Sequence, residues 1–416
     1  MTLPVDGLPP SPAGPHGLLA GVRVLDLTTS IAGPYATMLL ADLGADVLKV
    51  ERPGTGDDAR AWGPPFLHDQ ALWFTSVNRN KRSLALDHAG AAGRAVLERL
   101  IAASDVLIVN LLPRSQAKLG LDPASVRCLR PDIIYVAITG FGLEGPRADH
   151  ACYDLIAEGH SGVMDLTGEP DGPPQKVGTP AADLLAGMDA ALGCVAALHD
   201  RAKTGKGHLV DVALVDSMTR FMTPRLVPYL GTGEVPARSG GRDSVIAIYQ
   251  VFETADDPMT LALGNDAIWR RFWETVGRPE AAADPRHRTN VDRRAARGEI
   301  VASIQEVLRA RPRAEWLALF AAAKVPAGPI NRADQVAADR HLHERHLFYR
   351  IDTPEGPLPQ VGLGIAIDGK AAGASRPPPA LGADADAVLG EWLGAGADLV
   401  EEWRRAGMFD RSGTRE

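Results

Sequence analysis

Through its first 215 residues the chain alternates short β-type runs with helical spacing, and this alternation constrains the fold more than any other feature. Val22–Leu27 reads as a strand, Pro34–Leu43 as a helix and Ala45–Val50 as the next strand. Ser83–Leu86, Asp105–Val109 and Asp132–Ile138 continue the series, with an Ala/Leu-rich helix over Gly90–Ala103. Strands separated by helices imply βαβ units, right-handed crossovers and a mostly parallel sheet, so the fold class is α/β. After Val215 the texture changes. Met222–Arg242 is broken by prolines and glycines, Ile246–Thr254 with Met259–Leu263 predicts a hairpin, and helical spacing follows over Ile268–Val276, Arg294–Ala310 and Glu315–Ala323. A second, smaller α+β domain is therefore placed at 223–329. From Asn331 come another helix, an apolar segment at Val361–Ile367, the run Pro377–Pro379 and a terminal helical pair carrying Trp392 and Trp403.

Composition removes several classes of function. Lys+Arg number 44 against 52 Asp+Glu, a net charge of −8, which argues against a general nucleic-acid binder. Cys128, Cys152 and Cys194 are widely spaced and form no C-x-x-C, so neither a disulfide framework nor a zinc knuckle is expected, and a reducing cytoplasm fits. Met1–Gly17 has no basic region ahead of an apolar run, so no signal peptide is expected there. The longest apolar candidate, Leu184–Leu198, is interrupted by Asp189, and a soluble protein is expected.

Gly140-Phe-Gly-Leu-Glu-Gly145 spells G-x-G-x-x-G after a strand, the pattern of a nicotinamide-dinucleotide site. Pro146–His150 follow with no apolar helical period, so the helix N-terminus that would hold a pyrophosphate is missing. The motif is read as a loop. His341, His343 and His346 resemble a metal cluster, but residues two apart on a helix do not share a face. No thiol or carboxylate spacing completes a ligand set, so no metal site is assigned. Gly159-His160-Ser161-Gly162 misses the spacing of a serine-hydrolase elbow.

Asp183 is the most informative carboxylate. In Gly178-Thr179-Pro180-Ala-Ala-Asp183, Thr179 is the expected N-cap and Pro180 the first helical residue. Asp183 then falls in the first turn, where helix N–H groups would favour the ionised form that a nucleophile needs. Ala182, Ala186 and Gly187 are expected to leave it uncrowded. Asp is also common in first turns for purely local reasons, and Asp154, Glu169 and Asp171 compete on similar grounds. The basic run Asn78-Arg-Asn-Lys-Arg82, with Lys49 and Arg52 at another strand end, suggests docking of a phosphate-bearing ligand or else a solvated loop.

Taken in order, these segments resemble the class III (CaiB/BaiF-type, formyl-CoA transferase-like) CoA-transferase family. The matching stretches include Leu19–Leu27 with Ala32-Gly33-Pro34, Leu43–Val47, Lys49–Asp57, Asn80–Ser83, Thr139–Gly142, Tyr153-Asp154, the Asp183 segment, Thr204–Val212, Asn265–Trp269 and Pro379–Gly382. The resemblance runs nearly the whole chain from Leu19 and implies a large Rossmann-like domain, 1–222 with 330–416, beside the small domain 223–329. It also implies two copies interlocked as a homodimer, and transfer of CoA from an acyl-CoA to a free carboxylic acid, coenzyme A entering as part of the substrate with no tightly bound cofactor. Asp183 falls at the family's nucleophile. Arg52, Asn110 and Lys118 fall at nucleotide- and phosphate-contacting positions, and Ile31, Ala32, Leu86, Asp87, His88 and Ala89 along the pantetheine and adenine path. The family also holds α-methylacyl-CoA racemases, whose histidine would stand where this chain has Tyr153. A tyrosine, with its ordinary pKa of about 10, is a poor proton carrier near neutrality, so transfer is favoured. Gly240-Gly241 could cover the site, and Arg220, Arg225, Arg238 and Arg242 could bind a second carboxylate of a dicarboxylic acid.

Overall fold

The computed structural model describes residues 3–88 and 90–409, and the chain divides into two compact units. The first takes in the chain up to Val163, Val177–Val227 and everything from Arg340; the second takes in Met164–Lys176 and Pro228–Asp339. Relative to the sequence-based limits of 223–329, the second unit starts and ends later and recruits the short segment at 164–176. That segment is bound within its unit through its carbonyls: Gly240 N donates to the Gly168 carbonyl at 3.0 Å, and the Arg238 guanidinium donates to the Asp165 carbonyl at 2.8 Å.

The first unit is built on a six-stranded sheet, β1 (Arg23–Leu27), β2 (Asp46–Glu51), β3 (Lys81–Ala85), β4 (Val106–Val109), β5 (Ile134–Thr139) and β6 (His208–Ala213), in the spatial order β3-β2-β1-β4-β5-β6. Every pairing is parallel. Val-Leu-Ile-Val of β4 and Ile-Tyr-Val-Ala-Ile-Thr of β5 are buried at every position, as expected of a parallel sheet covered on both faces. The edge strand β6 instead alternates exposed and half-buried residues along its first half. At the other edge, β3 carries Lys81, Arg82 and Ser83, all buried. Ser83 exchanges backbone bonds with Asp384, donating to its carboxylate at 2.9 Å and accepting from its N–H at 3.1 Å. A late segment thus covers an edge that would otherwise be open to pairing. The helices Ala385–Leu393 and Ala397–Arg405 add Trp392 and Trp403 to the same core as Leu25, Leu48, Leu107 and Tyr135.

Four helices frame the strand ends: α1 (Ala32–Asp42), α2 (Ala91–Ala102), α3 (Asp154–Ser161) and α4 (Ala181–Thr204). By length and composition alone α4 would pass as a membrane span. Its buried stripe, however, is Ala182, Ala186, Ala190, Cys194 and Ala197, small residues at helical spacing that let it lie close to its neighbours. A Cβ on Gly187 would stand 2.7 Å from the Ala32 carbonyl, and one on Gly193 would stand 2.7 Å from a Val210 methyl.

In the second unit, strands Tyr249–Phe252, Met259–Ala262 and Ala327–Pro329 form an antiparallel sheet, with Met259–Ala262 in the middle. The expected hairpin is present, but its first strand begins at Tyr249 rather than Ile246. The reason is local: the N–H groups of Val245 and Ile246 go to the Asp243 carboxylate and that of Ala247 to Asn290, while Arg297 takes the Asp243 and Ala247 carbonyls. The backbone there is committed to side chains instead of a ladder. Helices Asp266–Thr275, Arg297–Leu308 and Arg313–Ala322 bury Trp269, Phe272, Trp273, Trp316 and Phe320 against the sheet.

Candidate active site

In an open parallel sheet, ligands dock beyond the carboxyl ends of the strands where the order reverses. Here the reversal lies between β1 and β4, and a cleft of about 240 Å³ opens just beyond their ends. Thr29 and Ser30 follow β1, Asn110 follows β4, Gly140 follows β5, and Asp183 completes the opposite wall. Ser30 holds a left-handed backbone, φ 71°, unusual for a residue with a side chain.

Asp183 is the third residue of α4, half-buried at the cleft wall. The N-cap differs from the sequence-based expectation. Pro180, not Thr179, occupies the cap position, and it has no side chain able to satisfy the helix N–H groups. Asp154 at the start of α3 does so from outside: its Oδ1 accepts from Ala182 N at 2.8 Å and, more weakly, from Asp183 N at 3.4 Å. The helix end is therefore already occupied by a carboxylate. Burial, and then the charge of Asp154, push the Asp183 carboxyl up to about 7. The helix N–H groups expected to favour the ionised form are claimed by Asp154, and desolvation and a like charge act against that form. Cys152, also on the cleft wall, is pushed up to about 11 by burial and by Asp183.

The small residues around Asp183 also act differently from expectation. Ala182, Ala186 and Gly187 are buried, packing α4 against the rest of the unit rather than leaving room for a ligand. Access comes from the cleft side.

The residues assigned along the CoA path separate. Ala32 lines the cleft, and Asn110 does so while also pairing with Thr29 in both directions. Arg52 is exposed and ion-paired with Asp58, itself a cleft residue, so a cation stands beside the mouth. Ile31 caps α1 and faces a neighbouring apolar groove of about 310 Å³ with Leu72, Trp73, Val77 and Leu184. Leu86 is fully buried in the hydrophobic core, whereas Asp87 is exposed and His88 half-buried beside it. Ala89 lies outside the described residues. Lys118 is exposed in the last turn of helix Pro113–Leu119 and does not line the cleft.

The basic run at 78–82 is neither a docking patch nor a solvated loop. Arg79 pairs with Asp42 at 2.6 Å, Lys81 with Asp26 at 3.2 Å, and Arg82 with Asp46 and Glu391, all buried on the basic side. Asp26 in turn would be raised by burial, but Lys49 and Lys81 hold it at about 2, while burial brings Lys81 down to about 8. The G-x-G-x-x-G stretch is a loop with left-handed Gly142 and Gly145, and no helix begins before Asp154. His341 and His343 sit on the short helix Arg340–Glu344 and His346 follows it in a left-handed turn; Ser161 ends α3, donating to the Glu158 carbonyl. Glu169 and Asp171 belong to the second unit, with Gly240-Gly241 and Arg242 lining a separate cavity of about 560 Å³ there. Arg220 is ion-paired with Asp189 and Arg238 with Asp165. Sequence reasoning missed that Asp154 caps α4 and that Cys152 lines the cleft.

A family model described as CoA-transferase family III matches residues 19–385. The chain is 39% identical over 381 residues to "Succinate--glutarate CoA-transferase" of Agrobacterium fabrum, covering 90% of this chain and 95% of that protein. It is 35% identical over 410 residues to "Succinyl-CoA:glutarate CoA-transferase" of Mus musculus, covering 98% and 94%. A solved CaiB/BaiF family protein from Brucella suis superposes with a TM-score of 0.78 at 38% identity, over 90% of this chain and 99% of the other. A parallel sheet with its carboxylate cleft at the point of strand reversal, a family match across most of the sequence and full-length relatives that transfer CoA agree: the chain belongs to CoA-transferase family III and is a CoA-transferase.

Proposed function

We propose that this enzyme moves CoA from an acyl-CoA to a free carboxylic acid through covalent intermediates on Asp183. The observation that carries the reading is a carboxylate on the wall of the cleft with no ion-pair partner among the described residues, raised to about 7 by burial and by Asp154. A poorly hydrated, basic carboxylate is a better nucleophile than a solvated one. Its oxygen attacks the thioester carbonyl, the C–S bond breaks, and a mixed anhydride forms with release of CoA thiolate. The thiolate attacks the Asp183 carbonyl of that anhydride, freeing the donor acid and leaving an aspartyl-CoA thioester. The acceptor carboxylate then attacks this thioester to form a second anhydride, and the thiolate closes the cycle on the acceptor carbonyl, restoring Asp183. Acyl bonds of comparable energy are exchanged throughout, so atoms and charge balance without a further co-reactant.

Dicarboxylic acids are the substrate class we assign, because the relatives from Agrobacterium fabrum and Mus musculus are named for succinate and glutarate. Two copies interlocked as a homodimer belong to the same reading, supported by the exposed apolar side chains Leu155, Ile156, Met188 and Leu192. Mass spectrometry of the intact protein after incubation with succinyl-CoA and other acyl-CoAs, quenched with hydroxylamine or borohydride, tests it. An Asp183 hydroxamate or reduced aspartate, absent in Asp183→Ala, is the expected result. One observation favours a second reading: a carboxyl near 7 also suits proton transfer, the work of a racemase. Exchange of the α-proton of a 2-methylacyl-CoA in deuterated water, with no adduct from any donor, would replace transfer by that reading.

A further inference from the structure

The loop following β1 forms part of the cleft wall, and its backbone is held by the side chains of Asp26 on β1, Lys49 on β2, Asp57 in the turn after β2 and Asn110 just after β4. Thr28 N donates to Asp26 Oδ1 at 2.9 Å, and the Thr28 carbonyl accepts from Lys49 Nζ at 2.7 Å. Thr29 N donates to Asn110 Oδ1 at 3.1 Å, and Asn110 Nδ2 donates to the Thr29 carbonyl at 2.8 Å. Ser30 N donates to Asp57 Oδ1 at 2.9 Å. Lys49 and Asp57, both fully buried, form an ion pair at 2.8 Å beneath the loop. Asp57 also accepts from Ala59 N at 2.9 Å, which fixes the turn carrying Asp58 and its partner Arg52. Ser30 keeps its left-handed backbone inside this frame, and strained backbone of that kind persists where the surroundings over-determine it.

We propose that Asn110 and the buried Lys49–Asp57 pair are positioning residues for acyl-CoA: they clamp Thr28–Ser30 and the Asp58 turn into one preformed wall of the cleft. The Asn110 amide meets Thr29 at both ends, through its oxygen and through one N–H, and so ties the loop to the residue that follows β4. The clamp spans the strand reversal from both sides, β4 through Asn110 and β2 through Lys49. This rests on the reading that the cleft receives the CoA thioester.

The test measures free CoA binding to the full chain by isothermal titration for Asn110→Ala and Asp57→Asn, with hydrogen–deuterium exchange of the peptide spanning 28–31 in the unliganded protein. The expected result is CoA affinity weaker by about tenfold, as for loss of one or two well-made hydrogen bonds. Exchange at 28–31 should accelerate before any ligand is added, while the KM of the acceptor acid stays within about twofold. A structural defect alone would lower the active fraction without separating the two substrates. Unchanged CoA affinity in a folded variant overturns the proposal, and so does weaker affinity with unchanged loop exchange, which would make Asn110 a direct contact. Asn110 is only half-buried, so Asn110→Ala decides the question if Asp57→Asn fails to fold. Because the probe is CoA itself, failure of the Asp183 adduct leaves this measurement intact.

Discussion

Replacing Asp183 by Asn removes a charge from a place that disfavours it and keeps the shape. The carboxyl titrates at about 7 in the folded chain against 3.8 for an unperturbed Asp. Between those values the folded state holds a proton that the unfolded state has released, so stability falls as pH rises through the interval and stays low above it. At about 1.4 kcal/mol per pH unit, the interval amounts to about 4 kcal/mol, trimmed to about 2–4 by water in the half-open cleft. Asn pays none of this. Urea unfolding of both proteins at matched pH should therefore give nearly equal midpoints at pH 4 and a more stable variant at pH 8. Taking the difference at each pH cancels the other carboxylates. A difference that stays flat from pH 4 to pH 8 would refute the argument that burial and Asp154 act on this carboxyl.

The same geometry sets the remaining expectations. Asp154→Asn keeps an acceptor for Ala182 N but removes the second cause of the raised value, so the rise of adduct formation with pH should move from about 7 to lower pH in a stopped-flow or quench profile. Gly187→Ala puts a methyl 2.7 Å from the Ala32 carbonyl, and denaturant unfolding should show a loss of about 1–3 kcal/mol. Thr179→Ala should change the free energy of unfolding by less than about 0.5 kcal/mol, where loss of a true N-cap would cost about 1.

Much of the first unit was legible because its strands announce themselves. Val106–Val109 and Ile134–Thr139 are continuous apolar runs, and their observed limits fall within two residues of the expectation. Lys81–Ser83 was harder, since a polar run reads as surface; it is interior only because Asp26, Asp46 and Asp384, remote in sequence, meet it. His208–Ala213 went unread as a strand because it lies at an edge and its first residues alternate in exposure. At the site, the position of Asp183 at a helix start was legible, but its ionisation was not. The cap comes from Asp154, 28 residues before the N–H it accepts from, and no local rule of first-turn composition contains that partner. Small residues on α4 misled for a similar reason: smallness signals close approach of something, and here the approaching group is α1 rather than a ligand.

The covering of β3 by the segment around Asp384 bears on how the molecule is made. A ribosome delivers β1 through β6 first, then Pro228–Asp339 of the second unit, and only afterwards the residues that shield Ser83 and bring Trp392 and Trp403 to the core. During that interval the nascent sheet has an unguarded flank with buried-type charges facing water, a state prone to pairing with other chains. Completion of the first unit must wait for the last of its strands' distant partners, so its folding is slow by topology rather than by any single weak contact. A chain that stalls before Asp384 should accordingly be a client for chaperones even though every strand of its main sheet has been synthesised.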